Sequence, residues 1–305
     1  MNIRKALIRQ ISKNEKLYIL TKQVRLKTLM IFGKLIPDKI YIKLQYRLRL
    51  GRKLNLNNPV LFNEKIQYAK LYYRNPMLKS LVDKYEVRKY VKEKIGVKYL
   101  TKLYGVYDTI DEIPFENLPE KFVMKLTNGS SYNYICHLKN NETKSEIEYR
   151  FKKWMTVDFY MLGREWAYKD VKNRIICEEL LETNDDYGLN DYKIFCFNGV
   201  PKIIQVDFSR FVNHKRNFYT PEWEFIDEIV EYDNDPKANI PKPVNLDEMV
   251  ECAKVLSEGF PQVRVDFYDV DGRVIFGEMT FYHGAGYLNF KNPKFELEMG
   301  EYWDV

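Results

Sequence analysis

The chain has 305 residues, of which 45% are hydrophobic and 30% charged, and its formal net charge is +6. This composition is that of an ordinary globular protein, and no stretch approaches the roughly 18–20 apolar residues that a membrane-spanning helix needs. The four cysteines and three histidines are scattered along the sequence, which disfavours a zinc site and a disulfide framework.

The beginning of the chain is strongly basic. Residues 1–53 contain 15 lysines and arginines against two acids, so this segment carries +13 and the remainder −7. This uneven charge disfavours nucleic-acid binding, and the basic residues interrupt any signal-peptide core, so we expect a cytoplasmic protein. Helical spacing of apolar residues predicts a basic helical N-terminal extension over residues 1–55. Residues 1–50 either contact the inner face of the cell membrane peripherally or form a solvated helix that packs on the body.

Residues 56–120 form a predicted helical region. One helix begins near Asn63, which is a candidate N-cap, and a second extends without interruption from residue 76 to residue 94.

From residue 121 onward, hairpins are mixed with helices, which favours an α+β fold over regular βαβ winding. Asn198-Gly199 and Asp271-Gly272 are typical of the tight turns in two-residue hairpins. Neither a glycine-rich dinucleotide motif nor a P-loop motif occurs. The predicted strands cover residues 122–126, 134–138, 174–181, 191–197, 201–208, 263–268 and 274–279, and the predicted helices cover residues 143–154 and 245–258.

Lys125 lies within an apolar strand and is followed by the loop Asn128-Gly129-Ser130-Ser131. A buried lysine needs an anionic partner, and the loop offers backbone N–H groups and hydroxyls, so together they suit a polyphosphate. The alternative is that Lys125 faces water on the alternating side of a hairpin strand.

A second pattern is an apolar strand that continues into acids at Glu178, Glu179 and Glu182, with Leu181 between them. This pattern is typical of a nucleotide hinge, where the backbone pairs with the adenine edge and a carboxylate accepts from the ribose hydroxyls. The alternative is a group of acids at an exposed strand end.

Two cations flank another predicted hairpin. Lys193 lies at its start, and Arg210 follows its returning strand. Both could converge on a phosphate or on a substrate acid, or each could form a surface ion pair.

The last hairpin carries Arg264, Asp266 and Glu278. Side chains alternate along a strand, so Arg264 and Asp266 share a face, and hairpin pairing can bring Asp266 beside Glu278. Adjacent carboxylates repel each other unless a cation lies between them, and Mg²⁺ prefers one or two carboxylates together with substrate phosphates. The alternative is an edge hairpin with exposed acids.

In this order, these segments resemble the TupA-like (teichuronopeptide-biosynthesis) branch of the ATP-grasp family. The resemblance extends from about residue 51 to residue 290 and implies an ATP-grasp fold with a lid subdomain over residues 121–182 and a catalytic subdomain over residues 183–305. Residues 56–120 would then form the substrate side. The matching segments include LNLNNPVLFNEKI, DKYEVRKYV, KFVMKLTNGSS, GREWAYK, RIICEELL, DYKIFCFNG, NFYTPEW and GFPQVRVDFYDVDGRVIFGEMTFYHGAG.

The resemblance implies that ATP lies between the lid and a central antiparallel sheet. Thr280 stands where members of this fold usually carry Asn, so one or two Mg²⁺ ions remain possible. The implied phosphate-binding residues are Lys125, Asn128, Gly129, Ser130 and Lys193, the implied adenine and ribose residues are Glu178, Glu179, Leu181 and Glu182, the implied Mg²⁺ ligands are Asp266 and Glu278, and the implied catalytic cations are Arg210, Arg264 and Lys193.

The implied reaction joins a carboxylate to an amine through an acyl phosphate. Its context implies an acidic glycan or lipid-linked saccharide from a capsule or teichuronic-type pathway, with an amine or amino acid as the second substrate. The alternatives are a sugar phosphotransferase and a glycosyltransferase of capsular polysaccharide biosynthesis.

Overall fold

A computed structural model describes residues 33–139, 143–183, 189–209, 214–238 and 240–305. Residues 1–32 of the predicted extension and Arg210 lie outside these ranges. The helices are α1 (Asp38–Leu50), α2 (Phe62–Tyr72), α3 (Leu78–Leu81), α4 (Val87–Lys94), α5 (Lys144–Met155), α6 (Phe159–Gly163), α7 (Leu246–Ser257) and α8 (Pro293–Glu301). The strands are β1 (Leu103–Tyr107), β2 (Phe122–Leu126), β3 (Asn133–Cys136), β4 (Ile175–Glu178), β5 (Asp191–Phe197), β6 (Val200–Phe208), β7 (Lys215–Tyr219), β8 (Phe225–Ile226), β9 (Gln262–Val270) and β10 (Arg273–Thr280).

The first sheet has four antiparallel strands in the order β1-β4-β2-β3. Helix α5 contributes Ile147 and Phe151 to the apolar core on this sheet. The helix begins after Thr143, whose hydroxyl and backbone form a capping box with Glu146. Strand β1 pairs with β4, so this sheet starts before residue 121, where the sequence had placed the lid boundary.

The second sheet has six antiparallel strands in the order β10-β9-β5-β6-β7-β8. Its two predicted tight turns have positive φ at both central residues, Asn198 and Gly199 in one hairpin and Asp271 and Gly272 in the other. One face packs on α7 through the apolar core. The opposite face carries the charged residues of β5, β9 and β10, because side chains alternate along each strand.

Two helical predictions are corrected. The segment from residue 76 to residue 94 is interrupted, because the Asp83 carboxylate accepts from the backbone N–H groups of Tyr85 and Glu86 at 2.9 Å each and starts a new turn. Asn63 is not the N-cap of α2. Its side-chain amide instead donates to the Leu288 carbonyl at 2.9 Å and to Glu296 at 2.8 Å, which ties α2 to α8.

Helix α1 buries Tyr41, Ile42 and Tyr46 and contacts α2. The Tyr41 hydroxyl donates to the Leu162 carbonyl at 3.0 Å, so α1 is joined to the end of α6. Within the described ranges, no helix combines the length and the apolar character that crossing a bilayer requires.

A close backbone crossing at Gly300 supplies a test of the packing between α8 and the start of α2. A Cβ at position 300 would lie 2.0 Å from the Val60 carbonyl oxygen, and backbone cannot yield as a side chain can. We expect Gly300→Ala to lower the free energy of unfolding by about 1–3 kcal/mol in urea denaturation. Glu301→Ala, one residue away and exposed, should change it by less than about 0.5 kcal/mol. Equal stabilities of the two variants would contradict this packing.

Candidate active site

Three neighbouring strands align charged residues across the second sheet. Glu278 on β10 is opposite Asp266 on β9, and Asp266 is opposite Lys193 on β5. Directly paired residues of antiparallel strands project from the same face, so the three side chains form one row. The structure therefore brings together the two acids and the lysine that the sequence had singled out.

The pairing of Asp266 with Glu278 depends on a β-bulge at Gly277. The register advances regularly from the turn as far as Phe276 opposite Phe267, and then skips one residue to place Glu278 opposite Asp266. In an unbroken hairpin, Gly277 would face Asp266, and Glu278 would project from the other side of the sheet. A Cβ at position 277 would meet the Asp266 carbonyl oxygen at 3.1 Å, so the bulge is closely packed.

Arg264 joins the two acids. Its Nε donates to Asp266 Oδ1 at 2.6 Å, and its Nη2 donates to Asp266 Oδ2 at 2.5 Å and to Glu278 Oε1 at 2.9 Å. The remaining Nη1 lies 2.5 Å from His283 Nδ1. This bidentate geometry fixes the guanidinium plane between the carboxylates.

His283 is a site residue that the sequence reasoning missed. Burial, together with the adjacent Arg264 cation, lowers the pKa of His283 well below its usual value. The imidazole is therefore neutral, and its Nδ1 accepts from Arg264. Its only sequence signal is its place three residues after the last strand, within the segment that resembles the TupA-like branch.

Lys193 is buried between two acids. Its Nζ donates to Asp266 Oδ2 at 2.8 Å and also to Asp191 Oδ2. Burial opposes the charged form, but the two carboxylates outweigh it and raise the pKa of Lys193 above its usual value. Lys193 is therefore an ammonium group in the floor of the site.

The two acids of the hairpin differ in their proton affinity. Burial raises the pKa of Asp266 to about 6, although Arg264 and Lys193 counteract the rise. Burial acts in the same direction on Glu278, but the charges of Arg264 and Lys84 outweigh it and lower the pKa of Glu278 to about 2. Glu278 is thus ionised at neutral pH, which is the form that binds a divalent cation.

In the first sheet, Lys125 donates to Glu178 Oε2 at 3.0 Å. Glu178 Oε1 accepts from Arg88 at 2.8 Å and from the Thr101 hydroxyl at 2.7 Å. Burial opposes ionisation, yet Lys125 and Thr101 lower the pKa of Glu178 below its usual value. The Lys125 side chain is 31% exposed, so its ammonium is not fully covered by Glu178.

The remaining acids of the predicted hinge lie at an exposed strand end. Glu182 forms an ion pair with Lys121 at 2.8 Å, and Glu179 accepts from the backbone N–H of Lys102 at 2.9 Å. Together with Glu178, these carboxylates already have protein partners, and Leu181 is half-buried. Ribose binding by these carboxylates stays a prediction.

The loop after β2 is anchored by a hydrogen bond from Asn128, whereas its two serines are exposed. The Asn128 amide donates to the Val171 carbonyl at 3.2 Å, and Asn128 is buried. Gly129 has φ +74°, and a Cβ there would lie 2.1 Å from the Phe159 ring, so only glycine fits. Ser130 and Ser131 are exposed, with their hydroxyl oxygens 3.4 Å apart.

Lys84 links the loop to the acids and was also missed from sequence. Its Nζ donates to the Gly129 carbonyl at 2.6 Å. Burial lowers the pKa of Lys84, and Glu278 and Lys125 are both within electrostatic range of it. Lys84 therefore lies between the Gly129 loop and Glu278 of the last hairpin.

The residues present fit a single Mg²⁺ ion. Within the described ranges, no group of three or more His, Cys, Asp or Glu side chains is assembled, but Mg²⁺ needs only one or two carboxylates when phosphates and water complete its shell. Glu278 Oε1 accepts from Arg264 and from the Thr280 hydroxyl at 3.2 Å, whereas Oε2 has no partner among the described residues. The Glu278 side chain is 40% exposed. The oxygens of Asp266 are covered by Arg264 and Lys193, so Asp266 would reach the ion only after one cation shifts.

The profile of TupA-like ATP-grasp proteins matches residues 64–304 of this chain. The chain belongs to the TupA-like ATP-grasp family. The predicted family and the α+β ATP-grasp fold are thereby confirmed. No functionally curated protein matches this TupA-like protein in sequence.

Several solved ATP-grasp ligases are similar to this TupA-like protein. The D-alanine–D-alanine ligase of Bacillus anthracis is 16% identical with a TM-score of 0.39, over 67% of this chain and 59% of that one. The Helicobacter pylori D-alanine–D-alanine ligase is 18% identical with a TM-score of 0.40, over 80% and 69%. The ATP-grasp ligase PsnB, in complex with a precursor variant, Mg and ADP, is 12% identical with a TM-score of 0.42, over 78% and 64%. The chain thus spans less than two thirds of the Bacillus anthracis enzyme.

Proposed function

We propose that this chain is an Mg²⁺- and ATP-dependent carboxylate–amine ligase that acts on an acidic precursor of a surface polysaccharide. The observation that carries the proposal is the row of Lys193, Asp266 and Glu278, joined by Arg264 and within electrostatic range of Lys84. Family membership supports ATP as the bound nucleotide, and the row of charged residues supports Mg²⁺ as the metal that accompanies it.

The chain's own residues suit the transfer of a phosphoryl group. Lys84 and Lys125 lie beside the Gly129 loop, where they would bind phosphate oxygens, and Glu278 would hold Mg²⁺ through its open Oε2. Arg264, fixed by both acids, would stabilise negative charge that develops during transfer. Arg210 lies outside the described residues, and we propose that it also stabilises this negative charge. When bound, Mg-ATP supplies the phosphoryl group that activates a carboxylate as an acyl phosphate, which an amine then attacks.

The Thr280 hydroxyl donates to Glu278 Oε1, so it orients the carboxylate. This contact supports one Mg²⁺ ion, because a hydroxyl already engaged in this way is a poor replacement for an amide carbonyl ligand.

The resemblance to teichuronopeptide-biosynthesis proteins supports a uronic-acid-containing glycan as the carboxylate substrate. The test is ADP release by the full chain with ATP, Mg²⁺, glucuronic or galacturonic acid oligosaccharides and a panel of amines. We expect ADP release to require both the uronic acid and the amine, and to yield an amide. A phosphorylated sugar formed without an amine would instead indicate a phosphotransferase. Binding of a nucleotide-sugar in preference to ATP would indicate a glycosyltransferase.

Helix α1 supports the further proposal that the protein contacts an anionic membrane surface from the cytoplasmic side. Ile40, Leu44 and Leu48 form a stripe along α1 and are 58%, 50% and 44% exposed. The exposed cations Lys39, Lys43 and Arg47 each precede one stripe residue by one position. An apolar stripe bordered by cations is complementary to anionic lipid headgroups over an acyl layer.

We expect the full chain to co-sediment with phosphatidylglycerol vesicles but not with phosphatidylcholine vesicles, and less so at high salt. Replacing Ile40, Leu44 and Leu48 together with serine should weaken this binding, whereas serine at exposed Val244, far along the chain, should not. Unchanged vesicle binding by the triple variant, or a change in its oligomeric state alone, would contradict a lipid-facing stripe.

A further inference from the structure

A cavity of 440 Å³ lies behind the loop that follows β2. Its walls are the backbone and hydroxyls of residues 129–131 and four aromatic rings, Tyr132, Trp154, Phe159 and Tyr168. The Tyr132 ring meets Trp154 edge-on at 5.6 Å and Phe159 edge-on at 5.0 Å between centroids. These contacts fix three of the rings relative to one another, and the cavity is partly open to solvent.

The one charged side chain in this wall is Glu165. Across the described parts of the chain, no residue donates a hydrogen bond to its carboxylate or forms an ion pair with it. Arg49 and Lys70 act on it only through space. Both of these cations lie over the Tyr287 ring instead, at 4.5 and 4.6 Å, and Lys70 donates to the Ala285 carbonyl at 2.5 Å.

An unpaired carboxylate in such surroundings is costly to keep ionised. Burial raises the pKa of Glu165 above its usual value. A cationic ligand in the cavity would remove this cost, because it would supply the missing ion-pair partner. The four rings would add attraction for the same ligand, since aromatic faces are electron-rich and attract ammonium groups.

The cavity adjoins the proposed reaction centre. Its wall includes the loop whose Gly129 carbonyl accepts from Lys84. Burial and the charges of Glu165 and Glu278 raise the pKa of the Tyr168 hydroxyl well above its usual value, so Tyr168 is within electrostatic range of both carboxylates. A molecule bound at Glu165 would therefore lie on the same side of the loop as the last hairpin.

We propose that this cavity binds the amine co-substrate in its ammonium form, with Glu165 as the ion-pair partner and the four rings as a cage. The proposal rests on the proposed ligase function and names the part of the protein that selects the second substrate. A neutral sugar ring would also stack on aromatic faces, but it would leave the Glu165 carboxylate without a cation.

The first test measures binding without turnover. Tetramethylammonium is a cation that fits an aromatic cage and cannot react, and its binding to the full chain can be followed by calorimetric titration. We expect the wild-type protein to bind it and Glu165→Gln to bind it at least about tenfold more weakly. Asp170→Asn removes an exposed acid outside the cavity and should bind like wild type. Equal binding by wild type and Glu165→Gln, or loss only in Trp154→Phe, would overturn the ion pair with Glu165.

The second test separates this inference from the ligase function. With a uronic acid substrate, Glu165→Gln should raise the KM for the amine at least about tenfold and leave the KM for ATP unchanged. Hydroxylamine is uncharged at neutral pH, so it should capture the activated carboxylate equally well in both proteins. An unchanged amine KM would overturn the inference. Absence of ADP release by wild type even with hydroxylamine would overturn the ligase function, while the tetramethylammonium result would still decide the cavity.

Discussion

Replacing Glu278 with glutamine is expected to lower the substrate-dependent release of ADP by about 100-fold or more at saturating ATP. The amide retains a carbonyl oxygen that accepts from Arg264 and Thr280, so the hairpin should keep its packing. It removes the negative charge and the open Oε2 that would bind Mg²⁺. The measurement is a coupled ADP assay with the uronic acid and amine that support wild-type turnover.

The matched control is Glu258→Gln, an exposed acid that pairs with Lys94 at 3.2 Å far from the site. This variant should retain wild-type ADP release and wild-type thermal stability. A Glu278→Gln protein that is folded and as active as the control would show that Glu278 does not hold the metal.

Replacing Lys193 with methionine is expected to have the largest effect on stability, a loss of about 3–5 kcal/mol in the free energy of unfolding. Lys193 is the ammonium between Asp191 and Asp266, and all three are buried. Methionine fills similar space but leaves two carboxylates close together without the cation between them. Urea denaturation of the ligand-free protein measures the change.

Lys202→Met is the control for this experiment, because Lys202 lies on the adjacent strand β6 and is exposed. Its effect should be within about 0.5 kcal/mol of wild type. If Lys193→Met is no less stable than Lys202→Met, then the charged row is not a coupled buried network.

The hairpins were predictable from sequence because their signals are local. Asn198-Gly199 and Asp271-Gly272 specify tight turns, and alternation of polar and apolar residues specifies the faces of the flanking strands. Most predicted strand bounds agree with those observed, but β4 ends at Glu178, three residues before the predicted end, and β7 and β8 were not predicted. The helix from residue 76 to residue 94 was predicted without its break, because the signal that Asp83 caps a new turn is weaker than the helical spacing around it.

The site was predictable only where residues are close in sequence. The proximity of Asp266 and Glu278 was predicted, but the reason for it was not. A regular hairpin would have separated their faces, and the bulge at Gly277 is what joins them. In the sequence around residue 277, the only signal for a bulge is Gly277 itself.

Partners that are distant in sequence could not be deduced. The ribose role of Glu178 stays a prediction, and the sequence did not indicate that its oxygens accept hydrogen bonds from Arg88, Thr101 and Lys125 on three separate segments. Lys84 was overlooked for the same reason, because its place beside the Gly129 loop depends on how the helical region packs against the lid.

The main proposal is that Glu278 holds the Mg²⁺ ion of Mg-ATP opposite Lys84. Its most direct test is calorimetric titration of ATP, with and without Mg²⁺, into the wild-type protein and Glu278→Gln. We predict that Mg²⁺ tightens ATP binding to wild type and that the variant binds ATP alone normally but gains nothing from Mg²⁺. The same gain from Mg²⁺ in both proteins, or no binding of ATP to wild type, would contradict the claim.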